Sequence, residues 1–212
     1  MSTVDTAKPS RRERRKAQTR AALVGAAQEL LADDRGAEVS IQEITERADV
    51  GFGSFYNHFA SKEALFEAAV VRALDDHSAW LDGILQGEDD AALVFATSLR
   101  LTGRLLRTAP TMAHVVKNAL GPVLAAERGI AARARRDLTR AAEQGRLTIE
   151  DPDVALACTA GALVGVIHLL AARDDLVIES TTDLMVEHVL GMFGMPRDEA
   201  RRLVSLPLPE RG

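Results

Sequence analysis

Apolar positions along this chain recur at intervals of three and four, and no stretch alternates apolar with polar residues over a useful length. That period belongs to helices with one buried stripe, so the chain is expected to be all-α. Leu23, Ala26, Ala27, Leu30 and Leu31 form the first stripe, on a helix ending near Gly36. The stretch from Val39 to Phe66 then holds two very short helices and the start of a third. Ser40 followed by Glu43 is a capping box, and Val39 and Ile44 are spaced to form a hydrophobic staple around it. Ile41, Ile44 and Ala48 line one face. Asp49-Val50-Gly51 interrupts the pattern, with Gly51 suited either to cap the next helix or to take a left-handed turn. Phe55 and Phe59 bury one side of the following helix, leaving Phe52, Gly53, Tyr56, Asn57 and His58 on or near the other. Ser61 caps the third helix, with Lys62 in its first turn. The pattern predicts a helix-turn-helix.

From Ser61 a long helix is predicted to about Leu85, burying Leu65, Phe66, Ala69, Val70, Ala73, His77, Trp80, Leu81 and Ile84. Gly87-Glu88-Asp89-Asp90 separates it from a helix over 91–108, apolar nearly all round except at Arg100, Arg104 and Arg107. Pro110 and Gly121-Pro122 punctuate further helices. An arginine-rich helix closes at Gly145, Asp151-Pro152-Asp153 opens another, and Pro196 follows the last of the longer ones. The segment Val154 to Ala172 carries no charge and is long enough to span a membrane. Its Ala, Gly and Thr content and the acids bracketing it, Asp151, Asp153, Asp174 and Asp175, argue for no membrane. Ala157, Gly161 and Gly165 recur every four residues, so backbones can approach closely along that seam. A helix apolar all round must be covered on every side. One face is expected on its own core and the other on a second subunit. Leu184, Val189 and Phe193 of the following helix would complete an isologous four-helix homodimer interface.

At 212 residues, with 47% hydrophobic and 27% charged residues, the chain is globular, and the 4% of aromatics favours helices packed on helices. The single cysteine, Cys158, excludes an intrachain disulfide and a cysteine metal cluster, and a cytoplasmic location is expected. The net charge of −5 has the wrong sign for a DNA binder. Its distribution changes the picture: Arg11, Arg12, Arg14, Arg15, Lys16 and Arg20 stand against only Glu13 at the start of the first helix. These residues form either an arm for phosphates and the minor groove or a solvated leader. The basic run before Ala21-Ala22-Leu23 imitates a signal peptide, but Gln28-Glu29 breaks the apolar stretch. No enzyme is expected. Cys158 and His168 stand ten residues apart on one helix, roughly 15 Å of rise, and no metal-protease motif or phosphate loop is present. No cofactor or metal is expected either.

The polar groups around the second short helix suit base and phosphate contacts. Asn57 can pair bidentately with adenine, and Gly53 permits close approach. Tyr56 and His58 can donate to phosphates, or are ordinary surface aromatics. Lys62 in a first helical turn is unfavourable unless an anion lies nearby. The string Phe55-Tyr56-Asn57-His58-Phe59-Ala60-Ser61-Lys62-Glu63-Ala64-Leu65 resembles the hallmark of the tetracycline-repressor family of bacterial regulators. The match reaches back through Val50 and Ile41-Gln42-Glu43-Ile44 and covers roughly the first third of the chain.

The resemblance implies an N-terminal three-helix helix-turn-helix domain, joined by a long helix to a helical ligand-binding and dimerisation domain. On this chain those are a leader over 1–10, a DNA-binding domain over 11–66 and an effector and dimerisation domain over 67–212. It also implies that Ser40, Gln42, Phe52, Gly53, Ser54, Tyr56, Asn57 and His58 meet double-stranded operator DNA. Lys62 would take a phosphate, and Arg14 and Arg15 would act beside it. Many relatives have Ser-Lys-Gly where this chain has Gly51-Phe52-Gly53, so Phe52 is expected on a thymine methyl or a sugar. By the same resemblance the protein represses, and an unknown small-molecule effector sits in the C-terminal half. Phe95, Leu99 and Met112, with His77 and Trp80, either line an apolar cavity or are plain core. His114 and Asn118 either orient a polar group of the effector or are buried polar core. The Arg100-Arg104-Arg107 stripe either neutralises an anionic ligand or is a solvated face. The alternative is a DNA-binding regulator with no effector, constitutive or controlled by a protein partner.

Overall fold

The computed structural model describes residues 10–32, 39–105, 124 and 129–209. The regular elements among them are all helices: α1 (Arg11–Ala32), α2 (Ile41–Arg47), α3 (Phe52–Phe55), α4 (Lys62–Ile84), α5 (Ala91–Leu105), α6 (Ile130–Glu143), α7 (Pro152–Ala172), α8 (Ile178–Met192) and α9 (Arg197–Ser205). The chain divides into two compact units, Met1–Ala69 and Val70–Gly212. The division falls three residues later than the boundary expected from the helix-turn-helix motif.

In the first unit, local capping decides where each helix begins. Ser10 and Glu13 form a reciprocal box at the start of α1: Ser10 N donates to Glu13 Oε2 at 2.7 Å and Glu13 N to Ser10 Oγ at 3.2 Å. These bonds hold the Glu13 carboxyl below the usual range. The basic residues Arg11 to Lys16 therefore belong to a capped, exposed helical turn. Ser40 Oγ caps α2 by accepting from Glu43 N at 3.2 Å, and Val39 and Ile44 are buried as the staple requires. In the turn, Asp49 takes the left-handed conformation (φ 52°), which short polar side chains tolerate. Gly51 is extended and caps α3. Regular α3 ends at Phe55, and turns through Tyr56–His58 carry the chain to Phe59. Phe55, Phe59, Leu65 and Phe66 are buried with Leu23, Ala27 and Leu30 of α1, and Arg20 lies 5.0 Å from the Phe59 ring centroid.

The second unit packs α5 to α9 around Phe95, Leu99, Leu138, Met185, Val186, Leu190 and Leu203. α9, which the apolar pattern alone did not reveal, buries Ala200, Leu203 and Val204. Gly145 closes α6 with φ 66°, as its position predicts, and Asp151 caps α7 by accepting from Asp153 N and Val154 N. Gly103 lets α5 approach α8 closely, since a Cβ there would lie 2.6 Å from Thr182 Cγ2. Arg146 donates to both Asp90 oxygens and to Glu199, joining the start of α5 to α9. Burial opposes ionisation of Asp90, but Arg146 and the first amides of α5 outweigh it and leave the carboxyl below its ordinary value.

Arg100 and Arg104 of the expected arginine stripe are engaged within the unit. Arg100 is buried and grips Asp183 of α8 through Nε at 2.8 Å and Nη2 at 3.1 Å. Its Nη1 donates to the Leu206 carbonyl at 2.8 Å, and Arg104 reaches the same Asp183 at 3.1 Å. Arg107 lies outside the described residues. Removing one member of a buried pair strands the other charge. Asp183→Ala should therefore destabilise the protein by about 3 kcal/mol in chemical denaturation. Asp175→Ala, which breaks an exposed pair with Arg173, should cost less than about 1 kcal/mol.

Candidate DNA-binding face and effector cavity

In the first unit, the residues of the expected reading face separate into two groups. Phe52 and Tyr56 are 54% and 58% exposed and meet edge to face at 6.3 Å, and Tyr56 also meets the buried Phe55 edge to face at 5.3 Å, so each ring keeps more than half its surface in solvent. Gly53 and Asn57 are exposed beside them, and a Cβ at Gly53 would meet nothing within 4 Å. Gln42 and Ser40 are exposed on α2, where Gln42 Nε2 donates to Glu46 at 2.9 Å. Arg14 and Arg15 are exposed on α1.

The second group is turned inward. Ser54 is half-buried, its amide donating to the Gly51 carbonyl at 2.8 Å. His58 is also half-buried, with Nδ1 out of solvent. Burial first, then the nearby Lys16 and Arg20, lower its pKa below that of an ordinary histidine. Half-buried, its ring is less open to solvent than that of Tyr56. Lys62 Nζ donates to the Val39 carbonyl at 3.1 Å, which ties the start of α4 to the residue before α2. That bond, from the sequence-distant Val39, gives the first-turn lysine an intramolecular anchor that helix spacing does not reveal.

The second unit holds a partly open cavity of about 100 Å³. Its walls come from α4 (Leu74), α5 (Phe95, Ser98, Leu99, Thr102), α6 (Ile130, Ala131, Arg133, Ala134, Asp137) and α7 (Leu156, Thr159, Ala160, Leu163, Val164), with Leu124. Phe95 and Leu99 are among the residues singled out from sequence. His77 and Trp80 are not in the lining. His77 is buried one layer behind it, with Nε2 3.2 Å from Thr102 Oγ1 and its ring stacked on Trp80 at 5.5 Å. Met112, His114 and Asn118 lie outside the described residues.

Sequence reasoning missed the polar end of the cavity. Arg133 and Asp137 are each 4% exposed, one turn apart, in the same stripe of α6 that buries Ala131, Leu138 and Ala141. A charged i, i+4 pair falling inside an apolar stripe is the signal that could have found it. Arg133 Nε donates to Asp82 of α4 at 2.8 Å, and Nη1 donates to Ser98 Oγ at 2.6 Å and to Asp137 Oδ2 at 2.9 Å. Burial pushes the Asp137 carboxyl above its usual value, against the pull of Arg133. The hydroxyls nearby are already committed as donors. Ser98 Oγ donates to the Val94 carbonyl at 2.6 Å, Thr102 Oγ1 to that of Ser98 at 2.7 Å, and Thr159 Oγ1 to that of Ala155 at 2.8 Å. What those oxygens present to the cavity is lone pairs.

The expected interface residues also divide. Ala157, Gly161 and Gly165 are exposed on α7, and Leu184 is 49% exposed on α8. Val154, Leu169, Val177 and Met192 are large apolar residues left exposed on the same two helices and the connection between them. Val189 and Phe193 are corrected: they are 1% and 7% exposed, on the opposite side of α8, inside the unit's own core. α7 has the length and composition to cross a membrane, yet within the unit it buries only Ala155, Leu156, Thr159 and Ile167.

Residues 23–69 match the family profile described as bacterial regulatory proteins, tetR family, and residues 90–206 match the tetracyclin repressor-like C-terminal domain. No curated protein matches the chain. Among solved structures, RolR in complex with resorcinol is 38% identical with a TM-score of 0.80, covering 93% of this chain and 98% of that one. RolR without ligand superposes with a TM-score of 0.77 at the same 38% identity, covering 90% and 98%. The fold is shared more distantly with SmeT, repressor of a Stenotrophomonas maltophilia multidrug efflux pump (19% identity, TM-score 0.58, 83% and 92% covered). CprB from S. coelicolor A3(2) is similar at 21% identity, with a TM-score of 0.57 and 89% and 96% covered. With an exposed helix-turn-helix at one end of its chain and an apolar cavity in the other unit, this protein belongs to the tetracycline-repressor family of DNA-binding transcriptional regulators.

Proposed function

We propose that this regulator is a cytoplasmic repressor, not an enzyme, that holds a palindromic operator as a homodimer. A small hydroxylated aromatic molecule filling the cavity would release it. The cavity carries this proposal. A cavity of ~150 Å³ lined by hydrocarbon takes up benzene, so about 100 Å³ suits a single ring and is far below drug-sized sites. Ring-sized apolar walls end in the Arg133–Asp137 pair, where Arg133 already donates to Asp82, Ser98 and Asp137, and in the oxygens of Thr102 and Thr159, whose own protons are committed elsewhere. A neutral ligand with hydroxyl donors satisfies them, whereas a carboxylate would face Asp137. RolR, 38% identical to this chain, binds resorcinol, a ring with two such donors. The cavity weighs against an effector-free regulator, which has no use for one.

On the DNA side, Gln42, Phe52, Gly53, Tyr56 and Asn57 form the group free to enter a major groove, with Phe52 available to a thymine methyl. Arg14 and Arg15 supply phosphate contacts on the flank. The uncovered apolar side of α7, with Leu184 and Met192 of α8, is the surface a second copy would bury.

Three outcomes follow from these assignments. Resorcinol should raise the melting temperature by mass action and weaken operator binding, while 1,3-dimethoxybenzene, the same ring without donors, should bind about 1–3 kcal/mol more weakly by calorimetry. Equal affinities would remove the acceptor end from the site, and no binding of either would favour an effector-free regulator. Asn57→Ala should weaken the cognate operator by roughly 1–3 kcal/mol and leave random DNA nearly unaffected. Equal losses on both would make Asn57 a backbone contact. A Cβ at Gly161 meets nothing within 4 Å in the protomer, so Gly161→Leu should keep the native circular-dichroism spectrum yet sediment as a monomer. An unaltered dimer would put the interface elsewhere.

A further inference from the structure

Among the side-chain ties from α4 to the helices around the cavity, two end on residues that line it. Asp82 accepts from Arg133 Nε at 2.8 Å, and His77 Nε2 lies 3.2 Å from Thr102 Oγ1. The second tie has a defined polarity. Thr102 has one proton, and it is committed to the Ser98 carbonyl at 2.7 Å, so the hydroxyl oxygen is the acceptor and His77 Nε2–H the donor. His77 is 2% exposed and does not reach the cavity. Anything inside the cavity that donates to Thr102 addresses the same oxygen atom that His77 holds from behind. The ring of His77 is fixed in turn by stacking on Trp80, three residues on in α4. α4 is one continuous helix, and its first residues, Lys62–Ala69, belong to the helix-turn-helix unit.

We infer that His77 is a positioning residue for the switch, coupling occupancy of the cavity to the seating of α4 through Thr102 without touching the effector. This rests on the effector assignment above. In the empty protein the His77–Thr102 bond helps to hold α4 in one seating. A ligand hydroxyl on Thr102 resets the direction of that oxygen, and the bond to His77 changes strength. Only such a difference between two states can couple the sites. The contribution is that of one buried hydrogen bond, so it is a part of the coupling and not the whole.

The test uses the full-length dimer, an operator fragment obtained by in vitro selection, and resorcinol as the probe. Coupling is the ratio of operator dissociation constants with and without saturating resorcinol, by fluorescence anisotropy. Resorcinol affinity of the protein alone is measured by calorimetry. His77→Leu should keep resorcinol affinity within about threefold of wild type while the coupling ratio falls about three- to tenfold. His77→Gln, whose amide nitrogen can donate to Thr102 from a similar position, should restore the ratio. If the leucine variant does not fold, His77→Asn, too short to reach Thr102, takes its place. An unchanged ratio in the leucine or asparagine variant overturns the inference. So does a loss of resorcinol affinity itself, which would make His77 a ligand contact. A wild-type protein that takes up no resorcinol overturns the effector assignment and this inference with it. That failure is seen before any variant is made, so the two are told apart.

Discussion

A guanidinium buried in the apolar stripe of a helix survives only when its donors are met, and Arg133 meets that constraint with three partners from three helices. Asp82 comes from α4, Ser98 from α5 and Asp137 from α6 itself. Leaving such a charge unpaired costs about 3–5 kcal/mol, so the positions of α4, α5 and α6 are not independent near this point. The same cluster keeps the cavity from collapsing into plain core. A hydrophobic cavity with one polar end is what remains when that pair is kept. Arg136 of α6 also reaches Asp82, at 2.9 Å, so the carboxylate on α4 is held from two successive turns.

How much of this could be read from the chain depends on whether the signal was local. The N-cap at Ser40, the burial of Val39 and Ile44 and the buried pair Phe55–Phe59 are decided within a few residues, and they stand as expected. The turn was legible as a turn, but not which residue would take positive φ. Glycine is the ready candidate, and Asp49 took the role because Gly51 was needed, extended, as the cap of α3. His58 and Lys62 fall on the polar side of a helical count, yet His58 is half-buried and Lys62 donates to the carbonyl of Val39, distant in sequence. Polarity marks a residue as able to face DNA or solvent; it does not say that nothing else in the chain reaches it first.

The same limit explains the cavity and the interface. Phe95 and Leu99 were identifiable as large apolar residues on one face, and Trp80 looked equivalent by that criterion. Whether an apolar side chain borders a void or packs one layer behind it depends on which helices cross there. Periodicity along one helix carries no such information. For α7 the converse holds. The lack of any charge from Val154 to Ala172 shows that the helix must be covered on all sides, and the unit itself buries only Ala155, Leu156, Thr159 and Ile167 of it. The remaining requirement falls on something outside the protomer, which is why a second copy could be inferred before any fold was known. Val189 and Phe193 were placed on the wrong side of α8 because both of its faces are apolar: Leu184 and Met192 point out, Val189 and Phe193 in.

Magnitudes constrain how a ligand this small could work. A hundredfold change in operator affinity needs ~2.7 kcal/mol of differential binding between two conformers. A neutral hydrogen bond contributes about 0.5–1.5 kcal/mol net, and one to a charged group about 1.5–3 kcal/mol. Neither Thr102 alone nor a change at one apolar wall reaches the total. A ligand hydroxyl at Thr102 and another at the Arg133–Asp137 pair together do. Those two points are also where His77 and Asp82 of α4 are tied. A ring with a single hydroxyl could engage one end and not both, so it should bind yet switch weakly. On the proposed assignment, the separation of two donors across one aromatic ring becomes the quantity that decides whether a bound molecule is an effector or merely an occupant.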